Sequence, residues 1–82
     1  MNQYFYLWED DNPASFEDLR NKYVVMTRVQ VDSIELTWIL CRCKSFMFAK
    51  YLVDRLNKIW NDISDKEYAE HWISRVLEEE AP

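Results

Sequence analysis

The chain of 82 residues contains no glycine. Turns and helix ends that need a positive φ angle must therefore rely on Asn, Asp or Ser. The glycine-rich loops that cradle phosphates in nucleotide-binding folds are also absent, because those loops need glycine for close approach of the backbone. The sequence therefore argues against an enzyme that uses a nucleotide.

Cysteine and histidine are almost as scarce. The two cysteines, Cys41 and Cys43, are too close for an unstrained disulfide within one strand, which fits reduced thiols in the cytoplasm. His71 could join them as a metal ligand, but zinc sites usually need a second cysteine or histidine pair, which this chain lacks. No serine or carboxylate dyad lies beside His71 at a catalytic spacing. We expect no metal, no cofactor and no enzymatic activity.

Long apolar runs are missing as well. No uncharged apolar stretch approaches the roughly 20 residues that cross a bilayer. The first residues carry neither a basic leader nor a small-residue cleavage site. We expect a soluble cytoplasmic protein without membrane contact. Its length fits a single domain over residues 1–82, because so short a chain cannot supply two hydrophobic cores.

Charge is abundant but unevenly distributed. The net charge is −5, and it divides into −4 for residues 1–20, +4 for residues 21–60 and −5 for residues 61–82. Two acidic ends therefore flank a basic middle. In the folded chain they will either partly neutralise each other or leave one acidic and one basic face.

The first third of the chain predicts a strand and a short helix. Residues 3–8 are rich in aromatic side chains, with Tyr4, Tyr6 and Trp8 on one side of an extended chain. A short helix over residues 14–22 follows. It begins either at Pro13, with Asn12 as the N-cap, or at Ser15.

The middle of the chain predicts a β-hairpin. Tyr23–Val31 is rich in β-branched residues, and Asp32 with Ser33 forms a tight turn before Ile34–Cys43. Alternation places Cys41 and Cys43 on the face opposite Trp38. The rival interpretation is a helix that enters at Asp32 or Ser33 and runs through Trp38.

Two amphipathic helices complete the chain. Ser45 is the predicted cap of a helix over residues 46–63, whose apolar residues recur at helical spacing. Residues 64–67 match a capping box led by Ser64, and the helix that follows is predicted to bury Tyr68 and Trp72 among others. The order β-α-β-β-α-α predicts an α+β domain, a small antiparallel sheet of about three strands with two antiparallel C-terminal helices packed on it.

The aromatic content favours a protein-binding function. Four Trp, five Tyr and four Phe exceed what so small a core can hide, and exposed Trp and Tyr are typical anchors of interfaces. The candidate anchors are Tyr4, Tyr6, Trp8 and Tyr51. The partner is another protein or a second copy of the chain, paired through an edge strand or a helical face.

The acidic residues suggest that the partner has a basic surface. In size, charge and lack of motifs, the chain resembles the small inhibitor proteins that phages and other mobile elements encode, including anti-CRISPR and anti-restriction proteins. That likeness implies an inhibitor or regulator that occupies a basic surface of a nucleic-acid-handling protein. The candidate acidic contacts are Glu9, Asp10, Asp11, Glu17, Asp18, Asp65, Glu67 and Glu70.

The alternative is a small nucleic-acid-binding protein. Arg42, Lys44, Lys50, Arg55 and Lys58 cluster in the middle of the chain, with aromatic residues between them that could stack on bases. The acidic ends and a pI near 4.7 oppose this interpretation, because nucleic-acid-binding domains tend to be strongly basic.

Overall fold

The computed structural model describes residues 2–12 and 15–81, without the side chains of Asn2, Phe16 and Glu17. Its elements follow the order β-α-β-β-α-α, which confirms the predicted α+β class. The elements are β1 (Asn2–Glu9), α1 (Phe16–Arg20), β2 (Tyr23–Val31), β3 (Ile34–Cys43), α2 (Phe46–Asp62) and α3 (Lys66–Glu80).

The three strands form one antiparallel sheet in the order β1-β2-β3. Val31 pairs with Ile34 across a two-residue turn, so β2 and β3 are the predicted hairpin and the rival helix is wrong. Asp32 takes the positive φ of 54° that such a turn needs at its first central position. The carboxylate residue fills the role that glycine usually takes, because Asp tolerates this conformation better than most residues.

A β-bulge in β3 changes the face that its last residues occupy. Val25 of β2 pairs with Cys41, and the next residue, Met26, pairs with Ile39. Leu40 is therefore the extra residue, without a partner in β2. Strict alternation predicted both cysteines on the face opposite Trp38, and this prediction is wrong. The extra residue brings Cys43 to the same face as Trp38, where it is fully buried in the core.

Helix α2 covers one face of the sheet. Ser45 is its N-cap as predicted, and the Ser45 hydroxyl accepts a hydrogen bond from the Phe48 amide at 3.2 Å. The apolar stripe of α2 packs on Phe5, Val25 and Cys43 from the three strands. The buried residues of the stripe are Ala49, Leu52, Val53, Leu56 and Trp60.

Helix α3 packs alongside α2 in the opposite direction, as predicted. Its N-cap is Asp65 rather than the predicted Ser64, because the Asp65 carboxylate accepts from the amides of residues 67 and 68. The predicted burial of Tyr68 and Trp72 is wrong. These side chains are 52% and 43% exposed, since α2 covers only the narrow stripe of Ala69, Ile73 and Val76.

Helix α1 is shorter than the predicted helix over residues 14–22. The Ser15 hydroxyl accepts from the Asp18 amide at 3.1 Å, so the predicted start at Ser15 is confirmed. Pro13 and Ala14, where the other predicted start lies, are outside the described residues. In the described parts of the chain, no helix combines the length and the apolar character needed to cross a membrane.

Candidate protein-binding surface

The sheet face that points away from α2 carries an aromatic patch. Phe5 lies in the core beneath α2, and strand alternation therefore directs Tyr4, Tyr6 and Trp8 to the other side, as the sequence predicted. Tyr4 is 43% exposed and Trp8 is 46% exposed. Large aromatic side chains held half in solvent are the kind that anchor protein interfaces.

Arg28 of β2 is held among these rings. The guanidinium carbon lies 5.6 Å from the ring centroid of Tyr4 and 5.3 Å from that of Tyr6, and the two rings lie 5.8 Å apart. Glu35 of β3 forms an ion pair with Arg28, with Nε and Oε1 2.7 Å apart. The two rings and the Glu35 carboxylate together orient the Arg28 side chain, which is 40% exposed.

Two aliphatic side chains extend the patch across the sheet. Met26 pairs with Tyr6 on one side and with Ile39 on the other, so all three share this face. Ile39 is 45% exposed. We define the outward aromatic face as Tyr4, Tyr6, Trp8, Met26, Arg28 and Ile39.

Arg42 forms ion pairs at one end of this face. Arg42 of β3 pairs with Asp10 at 3.2 Å and with Asp18 of α1 at 3.6 Å. Asp10 is buried, and so is Val24, the β2 residue opposite Arg42. Two of the predicted acidic contacts thus tie the segment between β1 and α1 to the sheet.

The other predicted acidic residues near the N-terminus are placed differently. Glu9 pairs with Lys22 at 3.1 Å, and both side chains are partly exposed. Asp11 is exposed. The side chain of Glu17 lies outside the described residues.

The predicted acidic residues at the start of α3 lie away from this group. Asp65 caps the helix, and Glu67 and Glu70 are exposed on its first turns. The ring contact of Phe46 with Tyr23 at 5.7 Å places the start of α2 near Glu9. Since α2 is about 25 Å long, the turn into α3 lies toward the opposite end of the sheet. The predicted acidic contacts therefore form two separate groups.

Tyr51, the fourth predicted aromatic contact, lies on the helical side of the molecule. Its hydroxyl accepts from Nη1 of Arg55 at 2.8 Å, and Arg55 pairs with Glu80 of α3 at 2.7 Å. The ring stacks on Phe48 at 6.2 Å. The sheet separates Tyr51 from the outward aromatic face, so one flat partner surface cannot contact both.

The basic residues of the middle segment are largely engaged in ion pairs. Arg42 and Arg55 have the acidic partners described above, and Lys50 pairs with Asp54 at 3.7 Å. Lys44 and Lys58 are exposed. A continuous unneutralised track for phosphates therefore does not form from the five residues.

The two cysteines have the environment of packing residues. Burial, followed by the neighbouring Cys43 thiol, raises the pKa of Cys41 to about 12, and burial also raises the pKa of Cys43. The thiolate is the reactive form of cysteine, and it is scarcely populated at neutral pH under these conditions. His71 is exposed and its ring lies against Trp72. Across residues 2–12 and 15–81, no three His, Cys, Asp or Glu side chains are grouped to hold a metal ion.

Sequence reasoning missed Met26, Arg28 and Ile39 as members of the outward aromatic face. The alternation in β2 does direct Arg28 toward solvent, but only the register with β1 brings it to Tyr4. Since α1 lies between β1 and β2, no tight hairpin turn in the local sequence fixes this register.

Comparison with protein-family models, with curated proteins and with solved structures finds no match to the chain.

Proposed function

We propose that the protein is a non-enzymatic protein-binding module that presents the outward aromatic face to another protein. The observation that carries the proposal is the group of Tyr and Trp side chains, with Tyr4 and Trp8 half-exposed, around an arginine that stacks on two of the rings. Tyr, Trp and Arg are the residue types enriched at the energetic centre of protein interfaces.

The fixed geometry of the face also favours binding. Association is opposed by the entropy lost when flexible side chains are immobilised, about 0.5–1.5 kcal/mol for each rotamer-rich side chain. The two tyrosine rings and Glu35 already orient Arg28 in the free protein, which reduces this cost. A partner that stacks on this face therefore meets a preorganised surface.

Alanine replacement of Tyr4 and Trp8 tests the proposal. We expect the double variant to lose at least about tenfold in affinity for the partner, because truncating one interface anchor costs roughly 2 kcal/mol or more. The partner is identified by affinity capture from the organism that encodes the chain, and its affinity is then measured with purified proteins.

The matched control replaces Tyr68 and Trp72, a tyrosine and a tryptophan of similar exposure on α3. This control variant should bind like the unaltered protein. Equal loss in both double variants, or loss in the control alone, would contradict the assignment of the outward aromatic face.

The acidic character of the chain supports a narrower form of the proposal. A net charge of −5 and exposed carboxylates at both ends suit a partner with a basic surface, such as a nucleic-acid-handling protein that the module inhibits or regulates. Asp10 and Asp18 are engaged with Arg42, so Asp11, Glu67 and Glu70 are the residues that best test this form.

Replacing Asp11, Glu67 and Glu70 together by lysine should weaken binding and flatten its dependence on salt. Complementary charges steer association, and salt screens them over about 10 Å at 0.1 M. The association rate is measured at several salt concentrations by surface plasmon resonance. The corresponding change to glutamine should have a smaller effect of the same sign. An unchanged rate and salt slope would eliminate the basic partner while leaving the aromatic contact intact.

A further inference from the structure

The outer edge of β3 is apolar and open. Every residue from 34 to 39 is exposed, and the segment carries Ile34, Leu36, Trp38 and Ile39. Among the described strands, β2 is the only neighbour of β3. A strand with an open backbone edge and apolar side chains is a template for pairing with another strand. We define the β3 edge as residues 34–39.

The other edge of the sheet is closed by a side chain of α2. The Asn57 amide accepts from the Phe5 N–H at 2.9 Å and donates to the Phe5 carbonyl at 2.8 Å. Asn57 thus takes the two hydrogen bonds that a further strand would take from the middle of β1. Asn57 thus blocks strand pairing at the middle of the β1 edge, whereas the β3 edge is exposed along residues 34–39.

The hydrogen-bond register shows which groups of β3 point outward. The backbone groups of Phe5 face Asn57, so Phe5 and Thr27 form a pair without mutual backbone hydrogen bonds. The backbone N–H and C=O groups of Thr27 therefore point to β3 and form hydrogen bonds with those of Trp38. The backbone groups of Thr37, which precedes Trp38 in β3, point away from β2. By the same alternation, the N–H and C=O groups of Glu35 and Thr37 point to the open side.

The dimensions of the molecule agree with an uncovered element. The Cα radius of gyration is 13.2 Å, whereas a compact domain of 82 residues has about 12 Å. The accessible surface is 5783 Å², against about 5,300 Å² for a compact monomer of this mass. The β3 edge and the turn beside it contribute to this excess, because residues 30–39 are all exposed.

We propose that the β3 edge pairs with the β3 edge of a second copy, antiparallel about a two-fold axis, to give a continuous six-stranded sheet. With Thr37 opposite its own counterpart, Leu36 faces Trp38 of the second copy on one side of the sheet, and Glu35 faces Ile39 on the other. Leu36 and Trp38 thus meet as apolar partners, Glu35 lies opposite an aliphatic side chain, and no like charges are directly opposed.

The charge distribution favours a second copy of the chain over a different protein as the partner of the β3 edge. Within residues 28–39 the only charged residues are Arg28, Asp32 and Glu35, and Arg28 neutralises Glu35. Pairing there keeps the acidic ends of the two copies away from the junction. The strands closed by Asn57 lie at the outer edges of the six-stranded sheet, so the assembly stops at a dimer.

The test is the mass of the intact chain by sedimentation equilibrium as a function of concentration. The unaltered protein should pass from 10.1 kDa to about twice that mass. Thr37→Pro should raise the dissociation constant of the dimer at least about tenfold, because it removes an outward N–H and leaves the bonds to β2 in place. Thr37→Ala keeps that N–H and should dimerise normally.

A second variant tests the same interface in case Thr37→Pro misfolds. Leu36→Lys places like charges near the two-fold axis and should also give a monomer, whereas Trp72→Lys on α3 should not. A chain that stays monomeric up to about 1 mM overturns the proposal. A dimer that survives Thr37→Pro and Leu36→Lys also overturns it, since another surface must then mediate association. Neither result bears on Tyr4 or Trp8, so the proposed function is tested separately.

Discussion

Replacing Asp10 by alanine should lower the free energy of unfolding by about 3 kcal/mol, the low end of the range for breaking a buried ion pair. The Asp10 carboxylate lies 3.2 Å from Nη1 of Arg42 and also accepts from the Asn12 amide at 3.3 Å. Without it, Arg42 keeps only Asp18 at 3.6 Å and remains largely desolvated. Urea unfolding monitored by tryptophan fluorescence measures the change.

Asp11 provides the matched control, because it is the next residue and is exposed. Asp11→Ala should change stability by no more than about 0.5 kcal/mol. Replacing Asp10 and Arg42 together by apolar residues should cost less than Asp10→Ala alone, since no charge is then left without its partner. If Asp10→Ala and Asp11→Ala unfold at the same urea concentration, the ion pair does not stabilise the fold.

The burial of Asp10 illustrates what the sequence could not reveal. The run of acidic residues from Glu9 before a proline predicts a solvated loop. Asp11 is exposed as expected, whereas Glu9 is exposed but still belongs to β1. Asp10 is different because Arg42, 32 residues further along the chain, reaches it across the sheet. No local pattern in the sequence links these two residues.

The elements themselves were predictable because their signals are local. Ser45 caps α2 within three residues of its own position, and the apolar spacing of α2 defines its buried stripe. The hairpin follows from β-branched runs on either side of Asp32 and Ser33. The bulge at Leu40 has no such signal, and missing it placed Cys43 on the wrong face.

The candidate site was predictable only in part. Alternation along β1 places Tyr4, Tyr6 and Trp8 on one face whatever the rest of the fold is. The pairing of Arg28 with these rings depends on the strand register, and the isolation of Tyr51 depends on the position of α2. The exposure of Tyr68 and Trp72 likewise depends on how much of α3 its neighbour covers.

The two strand edges also differ for a tertiary reason. Helical periodicity assigns Asn57 to the polar side of α2, where it would simply meet water. The position of α2 on the sheet instead brings the Asn57 amide to the edge of β1, and the amide binds both backbone groups of Phe5. One polar residue thus blocks the middle of the β1 edge, while the β3 edge stays exposed.

Replacing Asn57 by leucine should therefore lower the free energy of unfolding by roughly 2–6 kcal/mol, since each of the two backbone groups left without a hydrogen bond costs about 1–3 kcal/mol. Phe5 is only 3% exposed, so water cannot easily replace the amide. The variant should also form assemblies larger than a dimer, because both edges of its sheet are open. Chemical unfolding and light scattering measure the two effects.

Asn61 on the same helix is exposed and supplies the control. Asn61→Leu should leave stability within about 0.5 kcal/mol and leave the assembly state unchanged. Asn57→Asp separates the two hydrogen bonds, because a carboxylate can still accept from the Phe5 N–H but cannot donate to the Phe5 carbonyl. Its stability should therefore fall between those of the unaltered protein and Asn57→Leu. Equal stability of Asn57→Leu and Asn61→Leu would show that Asn57 does not protect the β1 edge, and assembly would then not be limited to a dimer.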